Sequence, residues 1–182
     1  RDNARAGVAR ALADLVQYYD GDTTVLGAAL GLADDTALAA RMALAMAGRR
    51  NRTLSAAAAG SSVTAGHGGF GDAAWPLVLE RRVAPVWALF GVRFVVHNQA
   101  VGGRDPWPAS WCLSPMMGDD VDIVMREWEY WAPSDGLHAE LKGKAAKKPA
   151  DADLAGYEML LRVALTMPRQ PAVHFVFLGA GG

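Results

Sequence analysis

The segment Gly60-Ser61-Ser62-Val63-Thr64-Ala65-Gly66 follows the apolar run 54–59 and sets two serines between glycines. Residues of these types in this order can present a nucleophile. Small neighbours let the backbone bend sharply and let a substrate carbonyl approach a hydroxyl, while the N–H groups of the turn remain able to face developing negative charge. The same composition also makes a plain connector after a strand, and the segment alone does not separate the two readings.

A serine hydroxyl at neutral pH needs a general base, usually a histidine held by a carboxylate. Of the four histidines, His138 stands in Asp135-Gly136-Leu137-His138, an Asp-x-x-His spacing that falls in the loop 132–150 and reads as coincidence. His67 lies five residues after Ser62 and can face the same rim, but without an evident carboxylate partner it reads as a polar turn residue. His97 ends a strand and is expected to be half-buried, and His174, inside the apolar run 173–178, reads as a sheet histidine.

Other chemistry-bearing residues are less telling. Glu127 and Glu129 alternate as residues on one strand face do, which invites comparison with paired glycosidase carboxylates. Their spacing is too loose to use, and pairing with Arg126 or Arg104 is the expectation. Asp119, Asp120 and Asp122 are expected to cap and solvate a loop rather than to bind a metal, since no oxygen cage is declared. Trp107, Trp111, Trp128, Tyr130 and Trp131 gather in two neighbouring segments, as sugar-stacking platforms and aromatic-closed loops both do. Trp128 and Trp131 are the candidate substrate-facing members. Cys112 and Met116-Met117 fit packing.

The whole chain narrows the choices. Its 182 residues, 52% hydrophobic and 20% charged, suit one globular core. A net charge of -1 argues against a nucleic-acid or anionic-membrane partner. One cysteine excludes an intrachain disulfide and a multi-thiolate metal site. The apolar runs fall short of the roughly 20 residues that span a bilayer, and no basic-then-apolar leader is visible, so a soluble chain of undetermined location is expected. Nothing calls for a cofactor. The start at Arg1 and the stop at Gly182, just after an apolar run, read as cut ends of a longer polypeptide.

The elements that must position these residues follow from periodicity. Val8, Leu12, Leu15, Val16 and Tyr19 recur at helical spacing, and a second helix runs from Asp35 to about Gly48, so residues 1–50 form a helical N-terminal segment that packs rather than reacts. Residues 51–182 alternate: strand 53–59, helix 73–90, strand 92–97, strand 121–128, helix 151–167 and strand 172–178. This pattern predicts an α/β fold with a three-layer parallel sheet and flanking helices. One helical stripe is Leu79, Val83, Val86, Trp87 and Phe90, kinked by Pro85; the other is Leu154, Tyr157, Leu161, Ala164 and Leu165. In a parallel sheet the carboxyl ends of the strands share one edge. That edge would carry Ser62, then Asn98 to Gly103, then Glu127 to Trp131, then Gly179 to Gly182. Asn98 can tie two of these loops through its amide, and Gly103 can aim its N–H at an oxyanion over Ser62.

With these residues in view the chain resembles the SGNH (GDSL-like) hydrolases over residues 51–182. Gly60-Ser61-Ser62-Val63-Thr64-Ala65-Gly66 is similar to the first block of that family, with Ser61 in place of its acidic residue. Asn98 and Gly103 match the second block, and Asp122-Ile123-Val124-Met125 matches the strand that opens the third. The amide donor that the family places after this strand falls here near Trp131 and is not carried over. The Gly60–His67 and Asn98–Gly103 segments also resemble a little-characterised set of algal SGNH-like proteins. The resemblance implies a serine esterase or acetylesterase acting on small-molecule or carbohydrate esters. Ser62 is then the nucleophile, with the N–H groups of Ser62 and Gly103 in the oxyanion hole and Asn98 in support. It also implies an Asp-x-x-His block after the last strand, expected beyond Gly182. Two other readings stand beside this one: a catalytically inactive carbohydrate-binding relic of the same fold, and a dinucleotide-binding protein whose Gly-rich turn begins at Gly179–Gly182.

Overall fold

The computed structural model describes residues 2–18, 36–48, 51–69, 73–103, 111–127 and 151–176, with backbone alone for 4, 15, 18, 151–157 and 175. Two helices come first, α1 (Asp2–Tyr18) and α2 (Thr36–Met46). Then follow β1 (Thr53–Ala59), the single turn α3 (Ser62–Ala65), α4 (Trp75–Ala88), β2 (Arg93–Asn98), α5 (Leu113–Met117), β3 (Ile123–Arg126), α6 (Asp151–Thr166) and β4 (Ala172–Phe175). The strands form one parallel four-stranded sheet in the order β2-β1-β3-β4, an α/β fold with flanking helices, as the alternation of periods predicts.

Strand β1 lies inside this sheet, and every residue from Leu54 to Ala59 is buried. Burial on both faces is what a central parallel strand requires. Four successive alanines, Ala56 to Ala59, are fully buried there. Their small side chains favour a helix intrinsically, yet backbone pairing with β3 holds them extended. The pairs Ala56 with Ile123 and Ala59 with Arg126 set the register. Beyond β3, Ile123 pairs with Ala172 and Arg126 with Phe175.

The chain divides into two compact units, 1–54 with 79–95 and 55–78 with 96–182. In the first, Trp87 is the buried member of the α4 stripe and its ring lies 6.2 Å from that of Phe90 at a 58° tilt. The helix continues through Pro85, and Pro76 sits in the first turn, where a missing N–H costs nothing. A side chain at Gly7 would collide with Leu89, so α1 lies against the end of α4, while Val8 and Leu12 are exposed.

The second unit has its core between Ala57, Ala59 and Val124 of the sheet, Leu113 and Met117 of α5, and Leu160, Ala164 and Met167 around α6. Here the structure corrects two members of the predicted stripe and bears out Ala164, while the side chains of Leu154 and Tyr157 lie outside the described residues. Leu161 and Leu165 are exposed, and the inward face is Leu160, Ala164 and Met167. Both sets satisfy helical spacing, and only the packing of α6 against α5 and the sheet chooses between them. No helix among the described residues is long and apolar enough to cross a membrane.

Candidate active site

The strand order places a switch between β1 and β3. From β1 the chain goes to one side, to β2, and later returns on the other, to β3 and β4. In open α/β sheets the crevice at the carboxyl ends of such strands is where ligands bind. The chain leaving β1 there is Gly60-Ser61-Ser62, and the residue leaving β3 is Glu127. The Glu127 N–H continues the ladder to Ala59 O at 2.8 Å.

Ser61 caps the turn α3. It is extended (φ -74°, ψ -169°), and its hydroxyl oxygen accepts the Val63 N–H at 3.3 Å. Gly66 closes the turn in the left-handed region (φ 84°), with its N–H to Val63 O at 3.1 Å and the His67 N–H to Ser62 O at 2.9 Å. This pair of bonds is a Schellman closure, and glycine avoids the Cβ strain of that conformation. Ser62 is thereby the first residue of a one-turn helix, half-buried, and its N–H has no hydrogen-bond partner among the described residues.

Beneath the turn lies Glu127, fully buried. Its Oε2 accepts the Ser61 N–H at 2.9 Å, the Ser61 hydroxyl at 2.8 Å and the Thr64 hydroxyl at 2.7 Å. Thr64 is itself buried, and its Oγ1 accepts the Trp75 indole N–H at 2.9 Å. Gly60 is required by this crowding: a Cβ there would lie 2.7 Å from Glu127 Oε2 and 2.6 Å from Thr64 Cβ. Glu127 thus bonds to Ser61 and Thr64, and the expected pairing with Arg104 lies outside the described residues, as does Glu129.

Asn98, at the end of β2, donates its amide to Thr64 O at 2.8 Å and accepts the Ala100 N–H at 3.2 Å. The loop after β2 then runs past His67. A Cβ on Gly102 would lie 2.6 Å from His67 Nδ1, so the imidazole rests on the Gly102 backbone. Gly103 is exposed, with φ 71° and open space around its Cβ position. Ser62, Gly66, His67 and Trp75 line a cleft of about 620 Å³. The structure therefore ties Asn98 to the turn through Thr64 and lays the loop at Gly102 on His67, which lines the cleft together with Ser62. His97 is exposed rather than half-buried, because the alternation of β2 turns it away from buried Phe94 and Val96.

The amino ends of the same strands carry a second buried carboxylate. Asp122, which does not solvate a loop, is fully buried and accepts the Ser55 N–H at 3.0 Å and Arg169 at 3.5 Å. Asp119 accepts the Ser114 hydroxyl. Among the described residues no three His, Cys, Asp or Glu side chains converge as a metal set. Of the five clustered aromatics Trp111 is described, and it is exposed. Trp128, Trp131, Asp135, His138 and Gly179–Gly182 lie outside the described residues.

Sequence reasoning missed Glu127 as the support of the serine turn. The available signal was the buried hydroxyl pair Ser61 and Thr64, which needs an acceptor once the turn is packed on the sheet.

No protein-family model matches the sequence, and no curated protein matches it. Among solved structures, the chain is similar to a two-domain esterase (CEX) active on acetylated mannans, with TM-score 0.59 and 18% identity over 78% of this chain and 33% of that one. The same esterase co-crystallized with mannopentaose gives TM-score 0.59 at 18% identity, over 78% and 34% of the two chains. TesA follows with TM-score 0.45 and 20% identity over 66% and 58%. The chain spans about a third of the length of the mannan-active esterase. Its parallel α/β sheet with flanking helices is therefore the fold seen in the esterase active on acetylated mannans.

Proposed function

We propose that this chain carries the α/β domain, residues 51–182, of a serine ester hydrolase of the SGNH type, acting on acyl esters of small molecules or carbohydrates. The observation that carries the reading is the placement of Ser62. It stands at the carboxyl end of the central strand, beside the switch crevice, on an open cleft, with an unpartnered N–H among the described residues. Ser62 Oγ attacks the acyl carbon and its proton passes to a histidine. The N–H groups of Ser62 and Gly103 receive the oxyanion. Collapse expels the alcohol with that proton, and water then releases the acid and frees Ser62. Asn98 supports the two loops. Trp128 and Trp131 are assigned to the substrate side. The fold shared with an esterase active on acetylated mannans favours acetylated carbohydrate as the ester class.

For the base, the reading takes what the family resemblance implies, the histidine of an Asp-x-x-His block after the last strand. His67, on the wall of the same cleft, is the other imidazole of the site, and substitution separates the two. The full-length protein is expected to react with a fluorophosphonate probe and to cleave a short acyl ester, and Ser62→Ala to do neither. His67→Ala is expected to retain most of the rate, and its complete loss would move the base to His67. Absence of labelling in the unaltered protein overturns the enzyme reading, and saturable carbohydrate binding without labelling leaves the binding relic.

A further inference from the structure

Glu127 is a carboxylate with no reason to be buried on packing grounds. A lone ionised group inside a protein is costly unless bonded, and charge-assisted bonds are what offset it. Here all three donors converge on Oε2, and Oε1 has no hydrogen-bond partner among the described residues. Among the described residues the carboxylate therefore bonds one object, the turn that carries Ser62.

Its effect on proton direction can be followed atom by atom. Oε2 takes the hydroxyl proton of Ser61, so the Ser61 oxygen is left to accept, and it takes the Val63 N–H. Oε2 also takes the Ser61 N–H and the Thr64 hydroxyl proton, which leaves Thr64 Oγ1 to accept from Trp75. Of three consecutive N–H groups, those of Ser61 and Val63 are occupied and that of Ser62 has no partner among the described residues. Of two adjacent serine hydroxyls, Ser61 is 6% exposed and bound to Glu127, while Ser62 lines the cleft.

Resting on the ester-hydrolase reading, we infer that Glu127 is the positioning residue of the nucleophile turn. By binding Ser61 and Thr64 from below it makes Ser62 rather than Ser61 the reactive serine and holds the Ser62 N–H open for the oxyanion. Ser61, where the resembled family has an acidic side chain, is then the hydroxyl through which this carboxylate grips the turn.

The test is the rate of fluorophosphonate labelling of the full-length protein, read as rate constant and as final amplitude, with the modified serine mapped by peptide mass. A role in stability alone lowers the amplitude, since fewer molecules are folded, and leaves the rate constant of folded molecules unchanged. Positioning lowers the rate constant. Glu127→Gln keeps one acceptor oxygen and the volume, and is expected to label about tenfold more slowly at full amplitude, as befits exchange of charge-assisted for neutral bonds. Glu127→Ala is expected to lose about 100-fold, the scale of a misplaced reacting group. Should Glu127→Ala fail to fold, Thr64→Val, which deletes one donor to Oε2, is expected to slow labelling severalfold. Labelling of the unaltered protein with wild-type rate constants in Glu127→Gln and Thr64→Val overturns the inference and leaves the hydrolase reading standing. Absence of labelling in the unaltered protein overturns both.

Discussion

The side-chain amide of Asn98 donates to the carbonyl of Thr64 at 2.8 Å, joining the end of β2 to the turn that follows β1. Its own carbonyl accepts the Ala100 N–H at 3.2 Å, so one side chain fastens both the serine turn and the loop leading to Gly103. The Gln99 N–H to Ala58 O bond, at 2.8 Å, anchors the same loop from the backbone.

Asn98→Ala is expected to destabilise the protein by about 1–3 kcal/mol, the cost of leaving part-buried polar groups unpaired. Asn98→Asp should be worse, because it sets an acceptor against the Thr64 carbonyl. Thermal unfolding of both variants, alongside ester cleavage, checks this order. Equal stability of Asn98→Asp and Asn98→Ala would contradict the donor role of the amide.

Two adjacent glycines should fail for different reasons. Gly102→Ala drives a methyl group into the His67 imidazole, so the ring must move, and overpacking of this kind costs about 1–3 kcal/mol. Gly103→Ala meets open space but must hold φ near 71°, a backbone penalty of about 1 kcal/mol. NMR of the histidine ring protons distinguishes them: the His67 resonances should shift in the first variant and stay in place in the second.

Asp122 provides the control for the proposed site. It sits at the opposite end of β3 from Glu127, bonded to Ser55 and Arg169, and far along the strand from the serine turn. Asp122→Ala is expected to lower stability by about 1.5–3 kcal/mol through the lost bonds to a charged acceptor. Denaturant unfolding should record that loss, while the labelling rate constant of folded molecules stays unchanged. A slowed rate constant would mean that the two ends of the strand are coupled.

The alternation of strands and helices was legible in the sequence because each period is local. The run 53–59, the strand near 92–97 and the strand inside 121–128 all occur, as Thr53–Ala59, Arg93–Asn98 and Ile123–Arg126. The side of α6 that meets the core was not legible. Leu160 and Leu161 are neighbours with equal claims by spacing, and the choice of Leu160 depends on what α5 and the sheet present to it.

By itself the sequence determined the parallel α/β class, the serine turn between Gly60 and Gly66, and the amide of Asn98 as a tie between loops. These depend on residue types and short spacings. Only the tertiary structure decided what lies under the turn. Glu127 is 66 positions from Ser61, and their meeting depends on the β1–β3 register that sets Ala59 beside Arg126. No local pattern encodes that register, since a shift of the pairing would leave every period in the chain intact and separate the carboxylate from the serine.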